Sequence, residues 1–267
     1  MKNAADLAYK KPVEYTYKRS LIEEYGDQLL NLYEWMTAHY HFGSCDSVLE
    51  LGCGTGEFWQ YAYKLLDPNN KLTLTDKSPE MLEQAKSQIS HLPINCPVSF
   101  QQTDIDELST LDIKVNAILS HLMIYHAKDV ANVITNMNRM LSEYGWIGIT
   151  TQYIDSFKSH MDVAHDIDSR IPDHILVYPE IDKLHQMLIE ADDENDVYRY
   201  DYINHITWPT AEIAMQFTKT LLSISTFNPD ENFYKQYQQR VQTIIADKGG
   251  FRTDFKVAFF ICKRRIL

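Results

Sequence analysis

The stretch VLELGCGTGEFW, residues 48–59, places three of the chain's 9 glycines inside five positions. These glycines are Gly52, Gly54 and Gly56. The short run Ser47–Leu51 predicts a buried strand, and Glu57–Leu66 carries apolar residues at helical spacing. Because glycine accepts a left-handed backbone and has no side chain, such a turn lets a ligand approach the main chain closely. The stretch therefore predicts a strand, a ligand-binding turn and a helix.

Predicted strands and helices alternate along much of the chain after this unit. The expected strands are 47–51, 71–76, 98–104, 115–122 and 146–153, with two late strands at 196–208 and 251–264. Further helices are expected at 79–89, 129–141 and 181–190. Such alternation is typical of a parallel sheet with helices on both faces. It predicts an α/β fold with a doubly wound, Rossmann-like, seven-stranded and mostly parallel sheet.

The sequence outside this alternation predicts two helical additions. Residues 1–43 are expected to form an N-terminal cap, with one helix over Tyr17–His41, ahead of a main domain at 44–267. Residues 156–174 are polar and show no strong period, so we expect a segment that crosses the ligand edge of the sheet. Residues 209–247 predict two helices between the late strands, which we expect to form a lid.

Composition narrows the class of protein. A formal net charge of −12 disfavours nucleic acid as a partner, since a phosphate-binding face would oppose the overall field. The 4 cysteines are scattered without metal-ligand spacing, as in reduced proteins, so no metal is expected. Residues 1–20 lack the apolar core of a secretory signal, and no apolar run approaches a membrane span. We predict a cytoplasmic protein, a monomer or weak homodimer, that does not bind membranes.

An acidic residue stands at or near the end of each of the first three predicted strands. They are Glu50, Asp76 and Asp104. In doubly wound folds, ligands bind at the carboxyl ends of the strands. Asp76 comes 20 residues after Gly56, a position from which a carboxylate accepts hydrogen bonds from ribose hydroxyls. Asp104 is placed to accept from an exocyclic amine. Three acids and a glycine turn on one sheet edge predict a site for an adenosine-containing ligand.

Four motifs together resemble the class I S-adenosylmethionine-dependent methyltransferases. They are VLELGCGTG, TLTDKSPEMLEQAK, QTDI and AILSHLMIYHAKDV, in the order and at the intervals of that family, within residues 44–154. The resemblance implies S-adenosylmethionine as cofactor and a role for each residue that matches a motif. The residues implied for the methionine part and its loop are Glu50, Gly52, Cys53, Gly54 and Gly56. Those implied for the adenosine are Asp76, Lys77, Met81, Asp104 and Ile105, and those beneath the sulfonium are Ser120 and His121.

A dinucleotide-binding alternative is disfavoured by the same loop. That fingerprint is Gly-x-Gly-x-x-Gly, which brings a pyrophosphate onto a helix N-terminus. Here the third glycine comes one residue early, at Gly56, and Glu57 follows it. A carboxylate at this position would repel a pyrophosphate but tolerate a cationic sulfonium ligand.

The methyl acceptor is expected near the ends of strands four and five, the N-terminal helix and the insertion. Catalytic candidates are Tyr125, His126 and Tyr153, chosen by their position relative to these strands. Candidates for binding the substrate are Tyr17, Tyr178, Asn204 and Trp208. Aromatic rings around a sulfonium also fit stabilisation of a cationic methyl donor.

The segment MIYHAKDV and the late helical insertion resemble the small-molecule branch of the family, which includes histamine methyltransferase-like enzymes. The resemblance implies transfer of a methyl group to nitrogen or oxygen of a compact acceptor. Three alternatives stay open from the sequence. They are a methyltransferase acting on protein or RNA, an enzyme of the same fold that consumes S-adenosylmethionine in an intramolecular cyclisation, and a binding module without transfer activity.

Overall fold

The structure is a computed structural model that describes residues 12–43, 45–171, 178–192, 195–223 and 227–264, with the backbone alone for 12–15. The strands are β1 Ser47–Leu51, β2 Lys71–Asp76, β3 Val98–Gln102, β4 Val115–His121, β5 Leu141–Gln152, β6 Asn195–Trp208 and β7 Phe251–Arg264. The helices are α1 Pro12–Tyr25, α2 Leu32–Thr37, α3 Trp59–Ala62, α4 Pro79–Ile89, α5 Val130–Met140, α6 Lys158–Ile167, α7 Ile181–Glu190, α8 Ala211–Leu222 and α9 Glu231–Lys248. Short 3-10 turns cover Tyr63–Leu65, Ile105–Thr110 and Ile124–His126.

The seven strands form one sheet in the order β3-β2-β1-β4-β5-β7-β6. The pairs β1 with β2, β2 with β3, β1 with β4 and β4 with β5 are parallel. The predicted doubly wound, seven-stranded and mostly parallel α/β fold is therefore confirmed. Strand order reverses between β1 and β4, and ligands bind at such a switch point in this class of sheet. Glu50 of β1 lies beside Leu74 of β2 and Leu119 of β4.

The described residues belong to two compact units. The sheet unit takes its residues from Leu30–Thr151, Pro179–Tyr202 and Val257–Leu267. The helical unit takes its residues from Met1–Leu29, Gln152–Tyr178 and Ile203–Lys256. The predicted cap at 1–43 falls partly on residues 1–11, which lie outside the described residues. That division, and the lid predicted at 209–247, stay predictions.

The sheet unit is built on apolar strands that are buried on both faces. Leu49, Leu74 and Ile118, at the centres of β1, β2 and β4, are almost fully buried, as expected for parallel strands covered by helices. Helix α4 starts where the sequence predicts, because the Ser78 hydroxyl accepts the N–H of Met81 and a proline occupies the first turn. This cap fixes the entry of the chain into the helix directly after β2.

The single helix predicted over Tyr17–His41 is wrong, since two separate helices, α1 and α2, occupy this region. Within the helical unit, α1 ends before Gly26, where a Cβ atom would lie 2.2 Å from the amide nitrogen of Asn204. The Asn204 side-chain oxygen accepts the N–H groups of Asp27 and Gln28. These backbone groups are bonded to Asn204, so the helix ends there.

Residues 156–174 show no strong period in the sequence, yet part of this segment is helical, and its crossing of the ligand edge stays a prediction. Helix α6 occupies Lys158–Ile167, and its buried side chains are His160, Met161, Val163 and Ala164. The sequence hides this helix because His160, a polar residue, interrupts the apolar positions of its buried face. In the structure the His160 side chain is 0% exposed. Residues 172–174 lie outside the described residues.

His160 is at the centre of an aromatic cluster in the helical unit. Its Nδ1 atom lies 2.7 Å from the Thr218 hydroxyl and 2.8 Å from the Tyr237 hydroxyl. The rings of Trp208 and Phe217 lie 5.1 and 5.0 Å from the imidazole. Burial lowers the pKa of His160 to about 3, so the folded protein holds this imidazole neutral.

We expect His160 to make the protein less stable in acid. In the unfolded chain this imidazole takes up a proton as pH falls through about 6.5, whereas in the folded protein it stays neutral down to about 3. The unfolded state therefore binds more protons in this window, and folding stability falls as pH falls, by about 1.4 kcal/mol per unit. Chemical denaturation of wild type and His160→Asn should show a shallower pH dependence in the variant.

The matched control is His91→Asn, because His91 is exposed. This variant should keep the wild-type dependence of unfolding free energy on pH. Equal pH dependence in wild type and His160→Asn between pH 4 and 6.5 would contradict a buried neutral imidazole at this position.

Candidate functional site

The glycine turn after β1 has a left-handed backbone at each of its glycines. The φ angles are +69° at Gly52, +55° at Gly54 and +79° at Gly56. A Cβ atom at Gly52 would lie 2.3 Å from Cγ of Met123. Residues other than glycine would be strained at these angles. The absence of a side chain at Gly52 also lets the turn lie close to the segment after β4. The three glycines therefore shape the turn at the carboxyl end of β1.

A buried chain of hydrogen bonds lies at the base of this turn, and we call it the Glu50 network. One carboxylate oxygen of Glu50 accepts the indole N–H of Trp59 at 2.6 Å, and the other lies 2.9 Å from Nδ1 of His121. The Nε2 atom of His121 lies 2.8 Å from the hydroxyl of Tyr40. All four side chains are 6% exposed or less. Each polar atom of the network has a partner, which stabilises a buried carboxylate.

The network is consistent with Glu50 supporting the glycine turn. It also places His121, which the resemblance implies beneath the sulfonium, within a buried chain of hydrogen bonds. Both ring nitrogens of His121 are bonded within the network, and Phe58 packs on the ring at 4.4 Å. His121 thus helps to hold the turn from below. Burial, followed by the charge of Glu50, holds the pKa of Tyr40 well above its usual value. Tyr40 and Trp59 were not among the predicted site residues.

Asp76, the last residue of β2, joins the glycine turn to the start of α4. One carboxylate oxygen accepts the N–H of Gly54 at 2.9 Å, and the other accepts the N–H of Ser78 at 2.8 Å. Burial raises the pKa of Asp76, although these two N–H groups act in the opposite direction. Each carboxylate oxygen can accept a further hydrogen bond, so the group remains able to bind two hydroxyls.

Asp104 lies just after β3 and pairs with Lys77 at 2.8 Å. Its other oxygen accepts the N–H of Asp106. Burial raises the pKa of Asp104, but the Lys77 hydrogen bond and the nearby positive charges outweigh it, so the pKa lies below its usual value. Met81 and Ile105, implied to flank the adenine, are 1% and 5% exposed. Asp104 is therefore held ionised beside an apolar surface.

These residues fit S-adenosylmethionine on observations that do not depend on the resemblance. A Cβ atom added at Gly54 would meet no described atom within 4 Å, so a group can approach the main chain there. Ser120, at the end of β4, is fully buried, and its hydroxyl has no partner among the described residues. Two carboxylates, Asp76 and Asp104, stand at adjacent strand ends. These acidic groups suit a cationic ligand whose ribose hydroxyls and amine can donate hydrogen bonds to them.

The segment after β4 carries two predicted catalytic residues. Leu122 adopts a left-handed backbone at φ +49°, rare for a leucine, and its N–H donates to the Thr150 hydroxyl at 2.8 Å. Such strain is common at functional sites. Tyr125 and His126 follow in a 3-10 turn, with ring centroids 4.4 Å apart. Since the preceding Met123 lies against Gly52, the structure brings this segment beside the glycine turn.

His126 is half-buried, and burial lowers its pKa to about 4. The imidazole is therefore neutral near pH 7. A neutral imidazole has one N–H donor and one acceptor nitrogen, so it can orient a substrate group without carrying charge.

Three other predicted site residues lie in the helical unit: Tyr153, Tyr17 and Tyr178. The backbone N–H of Tyr153 donates to the carbonyl of Lys256. The hydroxyl of Tyr17, which is 41% exposed, donates to the side chain of Gln216 at 2.7 Å. Tyr178 is half-buried, and burial raises its pKa. Their roles toward a substrate stay predictions.

Asn204 and Trp208 lie in the interior of the helical unit, and neither position favours contact with a substrate. The Asn204 amide accepts two backbone N–H groups and donates to the carbonyl of Ile22. Trp208 is 1% exposed and packs against Tyr25 and Phe217. Both side chains fill the core around α1, a packing role that the strand pattern alone does not reveal.

Three further observations concern metal ligands, disulfide bonds and membrane-spanning helices. Among the described residues, no group of three or more His, Cys, Asp or Glu side chains is placed to hold a metal ion. The four cysteines are buried and free of disulfide bonds. No helix of the described segments has both the length and the apolar character needed to cross a membrane.

A family model described as a methyltransferase domain matches residues 43–196, more than half of the chain. Curated relatives include a malonyl-[acyl-carrier protein] O-methyltransferase of Ilyobacter polytropus, 22% identical over 215 residues that cover 76% of this chain and 73% of that protein. A biotin biosynthesis bifunctional protein of Bordetella avium is 31% identical over 111 residues, 42% and 23% of the two chains. A tRNA U34 carboxymethyltransferase of Campylobacter jejuni is 23% identical over 137 residues, which cover 51% of this chain and 45% of that protein. The chain thus spans less than half of two of these relatives.

Solved structures share the fold at low sequence identity. The YcgJ protein of Bacillus subtilis superposes with a TM-score of 0.60 at 16% identity, covering 88% of this chain and 98% of that one. The plantazolicin methyltransferase BamL, solved in complex with a triazolic desmethylPZN analog and SAH, has a TM-score of 0.53 at 13% identity, covering 98% of this chain and 91% of that one. Both superpositions support the architecture of the sheet and its helices.

Proposed function

The chain belongs to the methyltransferase domain family, within the class I S-adenosylmethionine-dependent methyltransferases, and we propose that it methylates a nitrogen or oxygen of a small-molecule acceptor. The observation that carries the small-molecule part is the partial burial of the segment after β4. His126 is half-buried, burial lowers its pKa to about 4, and this partly shielded position favours a compact acceptor over a macromolecule.

Charge supports the same class of acceptor. A net charge of −12 opposes the approach of a polyanion, and an RNA substrate would need a basic rim. Two of the relatives named above act, by their names, on malonyl-[acyl-carrier protein] and on tRNA, so the class of acceptor is inferred from the site itself. We further propose that the chain binds no nucleic acid or membrane, acts in the cytoplasm, and is a monomer or weak homodimer.

Bound S-adenosylmethionine would supply a methyl group on a cationic sulfur: the acceptor's lone pair would form the new bond to the methyl carbon, the carbon–sulfur bond would break with its electrons passing to sulfur, and the acceptor's proton would leave to water. The chain's own residues would hold the cofactor: Asp76 would bind the ribose, Asp104 would bind the adenine amine, and the Glu50 network would fix the glycine turn. His126, neutral near pH 7, accepts a hydrogen bond from the acceptor and orients its lone pair. Tyr125 lies beside His126, and in this proposal its hydroxyl orients the same acceptor group.

Substitution of Tyr125 or His126 is expected to lower kcat more than cofactor affinity. Both residues act on the acceptor in this proposal, so loss of orientation should reduce kcat about 10- to 100-fold for Tyr125→Phe and His126→Asn. Cofactor affinity, measured by calorimetry, should change less than about twofold, because neither side chain belongs to the cofactor-binding set.

Matched controls for these variants are Tyr144→Phe and His91→Asn, since both residues are exposed in the sheet unit. The controls should keep wild-type kcat. If Tyr125→Phe and His126→Asn also keep it, the two residues are not part of the acceptor site.

The proposed function is tested by following a labelled methyl group. The protein is incubated with methyl-labelled S-adenosylmethionine and a whole-cell extract, and the mixture is divided by ultrafiltration. Label should appear in a new low-mass species, and Asp76→Ala should abolish its formation. Label confined to protein or RNA would favour the macromolecular alternative and overturn the small-molecule proposal.

A further inference from the structure

Residues 122–128 follow β4 and contain both side chains proposed to act on the acceptor; we call them the His126 segment. The first residue of the segment, Leu122, donates its N–H to the Thr150 hydroxyl of β5 at 2.8 Å. The next residue, Met123, lies against the glycine turn. The start of the segment is therefore fixed by the sheet and by the turn that is implied for the methionine part of the cofactor.

The other end of the His126 segment is bonded to Asp106, in the 3-10 turn after β3. One carboxylate oxygen of Asp106 accepts the N–H of Lys128 at 2.9 Å, and the other lies 3.1 Å from the Lys128 ammonium. The Asp106 side chain is 18% exposed, whereas that of Lys128 is 80% exposed. Since an ion pair with so exposed a lysine is worth little, the hydrogen bond to the backbone N–H is the stronger anchor.

Asp106 is also bonded to the residue that is proposed to bind the adenine amine. Its own N–H donates to Oδ1 of Asp104 at 3.1 Å, and Oδ2 of Asp104 pairs with Lys77 at 2.8 Å. Each of these oxygens keeps a lone pair for a further donor. The contacts therefore run from Asp104 through Asp106 to Lys128, which comes two residues after His126.

The 3-10 turn that contains Asp106 is held firmly against α5. Leu108, inside this turn, is 1% exposed. Arg139, in the last turn of α5, donates to the carbonyls of Leu108, Ser109 and Leu111 at distances between 2.9 and 3.3 Å. Because α5 starts two residues after Lys128, the turn is bonded near both ends of this helix. A displacement of the turn therefore also displaces the end of the His126 segment.

We infer that Asp106 is a positioning residue, which ties the place of the His126 segment to the occupancy of Asp104. This inference rests on the proposed function, because it takes Asp104 as the adenine contact and His126 as an acceptor contact. A hydrogen bond from the cofactor amine restricts rotation of the Asp104 carboxylate, and the Asp106 N–H that it accepts is restricted with it. The His126 segment is then more ordered with cofactor bound than without it.

The first test is amide hydrogen exchange with and without S-adenosylhomocysteine. In the wild-type protein the ligand should slow exchange in both the glycine turn and the His126 segment, by at least about threefold. In Asp106→Ala the glycine turn should keep this protection and the His126 segment should lose it. Protection of the glycine turn also shows that the variant is folded and binds the ligand. Its calorimetric affinity should stay within about threefold of wild type, because the backbone N–H to Asp104 remains.

A second variant separates the hydrogen bond from the ion pair. Asp106→Asn keeps an oxygen that can accept the Lys128 N–H, so it should restore protection of the His126 segment. The matched control is Asp112→Ala, an exposed acid of the same unit, which should behave as wild type. Wild-type protection of the segment in Asp106→Ala, or equal loss of protection in Asp106→Asn and Asp106→Ala, would overturn the inference.

The second test follows methyl transfer from labelled S-adenosylmethionine to the low-mass part of the extract. At saturating cofactor, Asp106→Ala should lower the rate about 10-fold, and Asp106→Asn should retain most of it. Transfer at the wild-type rate in Asp106→Ala would overturn the inference and leave small-molecule methylation intact. Exchange protection that depends on Asp106, without any methylated low-mass product, would instead reject the proposed function and leave the positioning role of Asp106 standing.

Discussion

Replacing Asp76 by alanine is expected to weaken S-adenosylmethionine binding by at least about 100-fold, since two hydrogen bonds to a charged group are worth about 1.5–3 kcal/mol each. The variant loses more than the ribose contacts. Its carboxylate also accepts the N–H groups of Gly54 and Ser78, so the glycine turn and the start of α4 lose a shared anchor. Calorimetric titration of the cofactor measures the loss directly.

The contribution of the charge is separated by a second variant. Asp76→Asn keeps the shape and one acceptor oxygen, and should bind the cofactor with intermediate affinity. Thermal unfolding of both variants shows whether the fold survives. Asp182→Ala is the control, because this side chain is 96% exposed and belongs to the same unit. Wild-type affinity in a folded Asp76→Ala protein would contradict the assignment of the ribose site.

Replacing Glu50 by alanine is expected to lower the free energy of unfolding by about 2–6 kcal/mol, since each of two buried groups left without a hydrogen-bond partner costs about 1–3 kcal/mol. The substitution leaves the indole N–H of Trp59 and a ring nitrogen of His121 buried without partners. The glycine turn directly follows Glu50, so cofactor affinity should fall as well. Chemical denaturation followed by tryptophan fluorescence measures the stability.

The control for this comparison is a surface carboxylate. Glu83 pairs with Lys86, and its side chain is 71% exposed, so Glu83→Ala should change stability by less than about 1 kcal/mol. Tyr40→Phe removes only the outer hydroxyl of the network and should cost about 1–2 kcal/mol. A change in Glu50→Ala no larger than in Glu83→Ala would show that the buried network does not stabilise the fold.

The strands of the sheet can be predicted from the sequence because the residues that start and end them lie next to them in the chain. The bounds of β1 and β2 agree with the expectation at both ends, since apolar runs stop at a glycine turn and at an acid before Ser78. The positions of Glu50, Asp76 and Asp104 follow from these strand ends. Local turn and capping chemistry therefore fixes the cofactor side of the site.

The Glu50 network could not be predicted, because its partners are far apart in the chain. Tyr40 and His121 are separated by 81 residues, and His121 and Glu50 by 71. Their contact depends on β1 and β4 being neighbours in the sheet. A strained Leu122 has no sequence signal either, since leucine rarely adopts a left-handed backbone.

The helical unit is harder to predict because some of its interior residues are polar. His160 and Asn204 look polar in the sequence, yet both are buried inside the unit, where Nδ1 of His160 and the Asn204 amide make hydrogen bonds. Hydrophobic periodicity treats such residues as surface positions, so it reveals neither α6 nor the packing of Asn204.

The central claim is that the protein uses S-adenosylmethionine to methylate a small molecule, and the most direct measurement is the stoichiometry of that reaction. An extract is divided into a low-mass fraction, freed of protein and nucleic acid, and a macromolecular fraction. S-adenosylhomocysteine should form only with the low-mass fraction, one molecule for each methyl group gained by a low-mass acceptor. Its formation only with the macromolecular fraction, or consumption of S-adenosylmethionine without a methylated product, would contradict the account.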